Sequence, residues 1–403
     1  MTTFRSAFSC LRELLDGLDP APGLEPVELH LGDYRGETPA APFDALGDVA
    51  GWCRYPPLEG TAAQRAAYLG WLERRFGRQP GLASGSLAVE PTPGSKQAVA
   101  AAIMLAAARA RADGPAGAPR VVLPNPFYPT YLGATATAGA EPVFYSVGEA
   151  TGADDPLAAA ADVAAALERA GGRAAAVVLC NPGNPRGEIL PAPTLRAIWR
   201  LATAAGATLV VDECYTDLAT QAAPPGFVTV AGPDAGTGGP FVVLHSLSKR
   251  SGAPGLRSGF VAGDPATIAG YAAYNRSCGV SSPFPVCAAA AALWADESHV
   301  ERRRDALARV WDTADDILGD YPRYRRAEAG FFLWLPVADD EEAARRLWRD
   351  AALRVMPGRY LAVKDRGANP GAGYLRVALV HEEKVMAGVL ERLRAFLAGA
   401  PSG

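Results

Sequence analysis

Between residues 86 and 290, short apolar runs alternate with alanine-rich segments of helical length, and this repetition limits the fold more than any other feature of the chain. The runs are Ser86–Val89, Arg120–Leu123, Pro142–Tyr145, Ala174–Cys180, Thr208–Val211, Phe241–Leu244 and Ser258–Val261. Several are apolar without polar alternation, which suits strands covered on both faces. Helices between strands favour a mostly parallel sheet. An α/β fold is therefore expected, with a large domain over 51–297. A helix over Thr61–Phe76 precedes the repeats.

After Ser298 the pattern changes. A long charged helix begins there, followed by Gly330–Leu335 and a helix near Glu341–Leu353. Strand-like Leu353–Met356 and Tyr374–Leu379 come next, then a helix from about Glu382 to Leu397. Residues 1–50 read as irregular apart from an amphipathic stretch near Leu11–Leu18. Together 1–50 and 298–403 suggest a smaller α+β domain.

The chain has 403 residues, of which 49% are hydrophobic, enough to bury a large core in two lobes. A net charge of −4 with mixed signs gives no sign of a nucleic-acid partner. No apolar stretch is long enough to span a bilayer, so no membrane partner is expected. The six cysteines lack Cys-x-x-Cys or zinc-like spacing, which suggests reduced thiols, no metal and a cytoplasmic location.

Polar clusters follow four of the apolar runs: Pro124-Asn125-Pro126-Phe127-Tyr128, Asn181-Pro182-Gly183-Asn184-Pro185, Asp212-Glu213-Cys214-Tyr215 and Ser246-Leu247-Ser248-Lys249. Any one of them alone reads as a turn or a helix cap. Open α/β sheets bind ligands beyond the carboxyl ends of their strands, so four clusters at four such ends describe one site. An Asp at the end of a buried strand needs a partner, and a protonated pyridine nitrogen is a suitable one. A Lys in the same crevice can form a Schiff base with an aldehyde. Gly94-Ser95 opens a helix whose free N–H groups suit a phosphate. Ser246, Ser248 and Arg257 complete such a shell. Ser246-x-x-Lys249 also matches the Ser-x-x-Lys of penicillin-recognising hydrolases, but neither Ser-Asp-Asn nor Lys-Thr-Gly occurs here.

With these motifs, the sequence resembles the fold-type I, class I/II aminotransferases, pyridoxal-5′-phosphate (PLP) enzymes. The matching pieces are Asn181 to Gly187, Asp212 to Tyr215, Ser246 to Lys249 with Arg257, and Arg376 in YLRVALV, spread over about residues 30 to 380. The resemblance implies the PLP-dependent transferase fold and a role for each site residue. Lys249 carries the cofactor as a Schiff base and shuttles a proton. Asp212 pairs with the pyridinium nitrogen, Tyr215 and Asn184 bond the ring oxygen, and Tyr128 stacks on the ring. Gly94, Ser95 and Lys96 offer N–H groups to the phosphate, with Ser246, Ser248 and Arg257. Arg376 grips a substrate α-carboxylate near Gly32. Tyr55 resembles a tyrosine that crosses a homodimer interface to the partner's phosphate.

A finer similarity is to N-succinyldiaminopimelate aminotransferases, through PNPFYPTY, VVDECYTDL and GFFLWLPV. It implies transfer between glutamate and an acidic acyl-amino acid, N-succinyl-diaminopimelate being the single best choice. The alternatives are another PLP reaction (oxidase or deaminase, lyase, decarboxylase) or an aminotransferase of a secondary pathway. A distal substrate carboxylate needs a second cation, for which Arg35, Arg54, Arg250 and Arg359 are candidates. The chain departs from that group at Gly32-Asp33-Tyr34, where Gly-Glu-Pro is usual, at Arg186, where Thr is usual, and at Gly252, where Asn is usual.

Overall fold

The computed structural model describes residues 5–113, 117–146 and 157–399. Its strands, in chain order, are β1 (Val27–Glu28), β2 (Ala88–Thr92), β3 (Arg120–Asn125), β4 (Glu141–Ser146), β5 (Ala176–Cys180), β6 (Thr208–Asp212), β7 (Phe241–Ser246), β8 (Gly259–Gly263), β9 (Phe332–Pro336), β10 (Leu353–Arg354), β11 (Met356–Pro357) and β12 (Tyr374–Ala378). A seven-stranded sheet has the order β2-β8-β7-β6-β5-β3-β4. Strands β3 to β7 pair in parallel, and only β8 runs against the rest. The mostly parallel α/β architecture expected from the sequence is what the chain adopts.

Both faces of the central strands β5 to β8 are covered, which is why these strands are largely apolar. Val122, Leu209 and Val211 point into a core with Tyr68, Trp71, Trp199, Phe227 and Trp294. Val121, Leu123 and Val210 point the other way, onto Ile103, Tyr131 and Tyr271. The period of two along each strand divides neighbours between the two cores. The helix Ala62–Phe76 supplies Tyr68 and Trp71, and starts where Thr61 Oγ accepts from the Gln64 N–H.

A third core lies under β9 and β12. Leu307, Trp311, Leu333, Leu347, Leu375, Val377, Val389 and Leu393 meet there. They come from helices Ser298–Leu318, Asp340–Ala351 and Glu383–Ala398 and from an antiparallel sheet of order β11-β12-β9. Trp311 is wholly buried and its indole N–H donates to the Gly330 carbonyl at 3.0 Å. Truncating a tryptophan in such a place costs about 3–5 kcal/mol.

Several boundaries differ from those read in the sequence. The first long run pairs as Ala88–Thr92 rather than Ser86–Val89, because β2 is an edge strand and tolerates Pro91. The amphipathic stretch near the amino terminus is a helix over Ala7–Leu14, fixed by the Ser6 side chain accepting from the Ser9 N–H. The segment Leu353–Met356 is not one strand. It splits into β10, which joins β1, and β11, which joins β12.

Candidate active site

The strands β7, β6, β5 and β3 are consecutive neighbours, so their carboxyl ends lie side by side. The four polar clusters follow these ends. Asp212 is the last residue of β6 and is 3% exposed. Its Oδ2 accepts from the Tyr131 hydroxyl at 3.0 Å and its Oδ1 from the Cys214 N–H at 3.2 Å. Among the described residues no cation pairs with it. Burial pushes its pKa up, and the Tyr131 hydrogen bond opposes that rise. A buried carboxylate held by donors but lacking a counter-charge suits a cationic ligand atom.

After β7 the chain makes one helical turn, Leu247–Arg250, started by Ser246 Oγ, which accepts from the Ser248 N–H at 3.1 Å. This turn directs Lys249 inward. Its Nζ donates to the Gly32 carbonyl at 2.6 Å and stands 5.5 Å from the centre of the Phe331 ring. Burial lowers the pKa of this amine, so its neutral, nucleophilic form is more accessible than that of an ordinary lysine.

A chain of contacts leads from the loop after β5 to β12. Asn184 Nδ2 donates to the Tyr215 hydroxyl at 3.4 Å, and Asn184 Oδ1 accepts from Arg376 Nη1 at 3.3 Å. Arg376 also donates to the His30 carbonyl at 2.9 Å and lies 4.2 Å over the Phe332 ring. It is 4% exposed, its Nε has no partner, and burial lowers its pKa to about 10, so it stays charged at neutral pH. No carboxylate of the described chain neutralises it. A permanent buried cation with an unused N–H is suited to a carboxylate ligand.

The opposite end of the site follows from strand register. Thr92 pairs with Gly259, and Gly259 pairs with Ser246, so three strands bring the start of the helix Ser95–Asp113 beside Ser246. Gly94 sits at φ +93°, and a Cβ there would lie 2.8 Å from Arg257 Nη2. Only glycine lets that guanidinium approach the helix start so closely. Arg257 donates to the Pro254 carbonyl at 2.7 Å and the Pro93 carbonyl at 3.0 Å, and remains exposed. Ser95 and Ser248 are partly open and Lys96 is exposed. A cation, hydroxyls and a helix N-terminus at one place suit a phosphate.

Tyr128 precedes the helix Pro129–Thr137 and meets Tyr131 edge-on, with ring centres 5.6 Å apart. Tyr131 was not singled out in the sequence, although it lies in the quoted PNPFYPTY stretch. A buried network was also missed: the Tyr68 hydroxyl and His245 Nδ1 are 2.8 Å apart, and His245 Nε2 and Glu213 Oε2 are 2.9 Å apart. It lies on the far side of β6 and β7 and ties them to the helix Ala62–Phe76. Tyr55 is fully exposed and does not join the site of its own chain.

The second cation expected for a distal carboxylate is not Arg250 or Arg359. Arg250 pairs with Glu297 at 2.8 Å and with Asp217 at 3.5 Å. Arg359 is held by Asp340, Glu341 and Asp339. Both charges are already neutralised within the fold. Arg54 lies over the Phe284 ring at 4.9 Å, and only the backbone of Arg35 has a described bond, to the Val380 carbonyl. Among the described residues no cluster of His, Cys, Asp and Glu is arranged to hold a metal, all six cysteines are free, and no helix is long and apolar enough to cross a membrane.

Comparison with known proteins points the same way as the geometry. Residues 25–393 match the family described as aminotransferase class I and II. The 4-dedimethylamino-4-oxo-anhydrotetracycline transaminase OxyQ of Streptomyces rimosus is 33% identical over 375 residues, covering 91% of this chain and 92% of that one. The LL-diaminopimelate aminotransferase of Desulforudis audaxviator is 27% identical, with 94% and 92% covered. An aminotransferase structure from Neisseria meningitidis superposes with a TM-score of 0.86 at 31% identity, covering 98% of each chain.

Proposed function

The chain belongs to the class I and II aminotransferases, a PLP-dependent family, and from that premise we propose which substrates it joins and which residues do the work. The proposed reaction moves an amino group between the glutamate/2-oxoglutarate pair and a larger amino acid, with its oxo counterpart, that carries a second anionic group. N-succinyl-diaminopimelate is the leading candidate, as an acidic acyl-amino acid. The enzyme acts as a cytoplasmic homodimer in this reading.

One observation carries the assignment of the site: Asp212 and Arg376 are buried and Lys249 half-buried around one corner, and neither Asp212 nor Arg376 has a counter-ion in the described chain. A bound pyridinium and a bound α-carboxylate would supply the two missing charges. The arrangement therefore fits the cofactor that the family uses. When bound, PLP supplies an aldehyde that accepts the amino group and a ring that withdraws electrons from the bond being broken.

The chain's own residues do the rest in this proposal. Asp212 keeps a proton on the ring nitrogen, and the Tyr131 hydroxyl and Cys214 N–H hold the carboxylate in its anionic form. Asn184 and Tyr215 donate toward the ring oxygen. Tyr128 covers one face of the ring. The N–H groups of Gly94, Ser95 and Lys96, with Ser246, Ser248 and Arg257, bind the phosphate. Arg376 fixes the substrate's α-carboxylate near Gly32, which orients the Cα–H bond toward Lys249. Lys249 Nζ would take that proton from Cα and return it to the cofactor's former aldehyde carbon; its lowered pKa favours the neutral base. Phe331 and Phe332 exclude water from the same corner.

A second reading rests on the relative from Streptomyces rimosus, whose name describes amination of a ring ketone on an anhydrotetracycline. A cyclic acceptor with ionisable oxygens would also present a distal anion. The test is a coupled assay for glutamate formed from N-succinyl-diaminopimelate and 2-oxoglutarate, run beside the reverse assay with polycyclic ketones. Rapid glutamate formation supports the first reading. A negligible rate together with amination of a polycyclic ketone replaces it with the second.

A further inference from the structure

Arg303 is 6% exposed, makes no hydrogen bond and has no carboxylate within ion-pair distance among the described residues. Its guanidinium carbon lies 3.8 Å from the centre of the Tyr34 ring. Gly252, at φ +63°, lies against both groups: a Cβ there would overlap Arg303 Nη1 and lie 3.0 Å from Tyr34 Cδ1. Gly252 thus makes the space that the cation occupies, and Tyr34 holds the cation by its ring face. A buried cation steadied only by an aromatic face is costly, and burial lowers its pKa to about 10.

This arrangement borders the active site. Tyr34 follows Gly32-Asp33, and Gly32 accepts from Lys249. Beyond burial, which dominates, Asp33 and Arg303 both act electrostatically on the Lys249 amine. Phe331, under that amine, shares a small crevice of about 20 Å³ with Tyr34 and Arg303. On the outer side the same pair lines a cavity of about 610 Å³. Its wall carries four carboxylates, Glu37, Asp305, Glu382 and Glu383, and also Arg309, which is exposed and paired with Glu383 at 3.0 Å. Arg303 is the buried wall cation whose N–H groups remain unused.

We infer that Arg303, packed against Tyr34 and Gly252, is the specificity residue that receives an anionic oxygen on the distal part of the substrate, whose bulk enters the adjoining cavity. This rests on the proposed reading of the site, in which Arg376 takes the α-carboxylate. Substrates with an anion at both ends are favoured, because each end finds a buried arginine that the fold leaves without a counter-ion. The class is a dicarboxylate, or a larger acceptor with an acidic oxygen.

The test is calorimetric binding of unreactive dicarboxylates from succinate to suberate, each against its matched monocarboxylate, to the PLP-loaded enzyme. In the wild type at least one dicarboxylate should bind about tenfold or more tightly than its monocarboxylate, the scale of one charge-assisted contact. In Arg303→Met that preference should vanish while monocarboxylate affinity stays unchanged. Gly252→Asn keeps the arginine but fills its seat, and should lose the same preference; it serves if Arg303→Met does not fold. A preference that survives in both variants, or is absent from the wild type, overturns the inference. Failure of the amino-transfer reading is seen separately, in the turnover of the wild type.

Discussion

Tyr131 illustrates what a single residue contributes to this site. Its hydroxyl is one of two donors that keep Asp212 anionic in a buried place. Tyr131→Phe should lower kcat by about tenfold, the scale of one hydrogen bond to a charged group, with little change in KM. Lys249→Ala should lose nearly all turnover and any borohydride-trapped PLP; a variant that still traps the cofactor would show that another lysine serves. The polar residues after β3, β5, β6 and β7 were legible in the sequence because each directly follows an apolar run. Tyr131 was not, since an aromatic one helical turn into an apolar helix looks like packing. Arg303 was not, since it is the middle of three consecutive arginines on a charged helix. Only the tertiary packing of Tyr34 and Gly252 separates it from exposed Arg302 and half-buried Arg304.

Among the elements, the central strands β5 to β8 were predictable because burial on both faces leaves largely apolar runs. The short ones were not: β10 and β11 are two residues each, and Val355 between them gives no sign that the chain changes sheets. The helix Asp340–Ala351 shows how a local signal fixes an element. Asp339 Oδ1 accepts from the Glu341 and Glu342 N–H groups at 2.9 and 3.0 Å. The Glu342 N–H is the main cause of this carboxyl's lowered pKa. Asp339→Ala should cost about 1 kcal/mol at pH 7, the ordinary value of an N-cap. A group whose folded pKa is depressed gives stability above its unfolded pKa, near 3.9. The gap between wild type and variant should therefore close as pH falls from about 4 through the lowered folded value. Denaturant unfolding over that range checks it, and a gap independent of pH would assign the loss to something other than the carboxylate.

At the scale of the whole molecule, we propose that 51–297 forms the large domain, with 1–50 and 298–403 as the small one. Lys249 and Asp212 then belong to the first, Gly32 and Arg376 to the second, and the site closes between them. Tyr55 has no place in its own chain's site and is wholly exposed, as are much of Val49 and Trp52 nearby. Such a patch suits a twofold contact. If Tyr55 serves the partner's phosphate, Tyr55→Ala and Lys249→Ala subunits should complement each other. Mixed and reassociated at limiting cofactor, they should regain roughly a quarter of wild-type activity, since one site in four keeps both residues. No recovery, from subunits shown to exchange, would leave Tyr55 without this role. The central claim is that the enzyme retains an amino group at Lys249's site and hands it on. The most direct measurement is a single half-reaction, with enzyme at substrate-like concentration and an amino donor but no acceptor. The account predicts one equivalent of 2-oxo acid per subunit, no ammonia, a stop, and a second equivalent only after a 2-oxo acid acceptor has been added and consumed. Continuous release of ammonia or 2-oxo acid without an acceptor would contradict it.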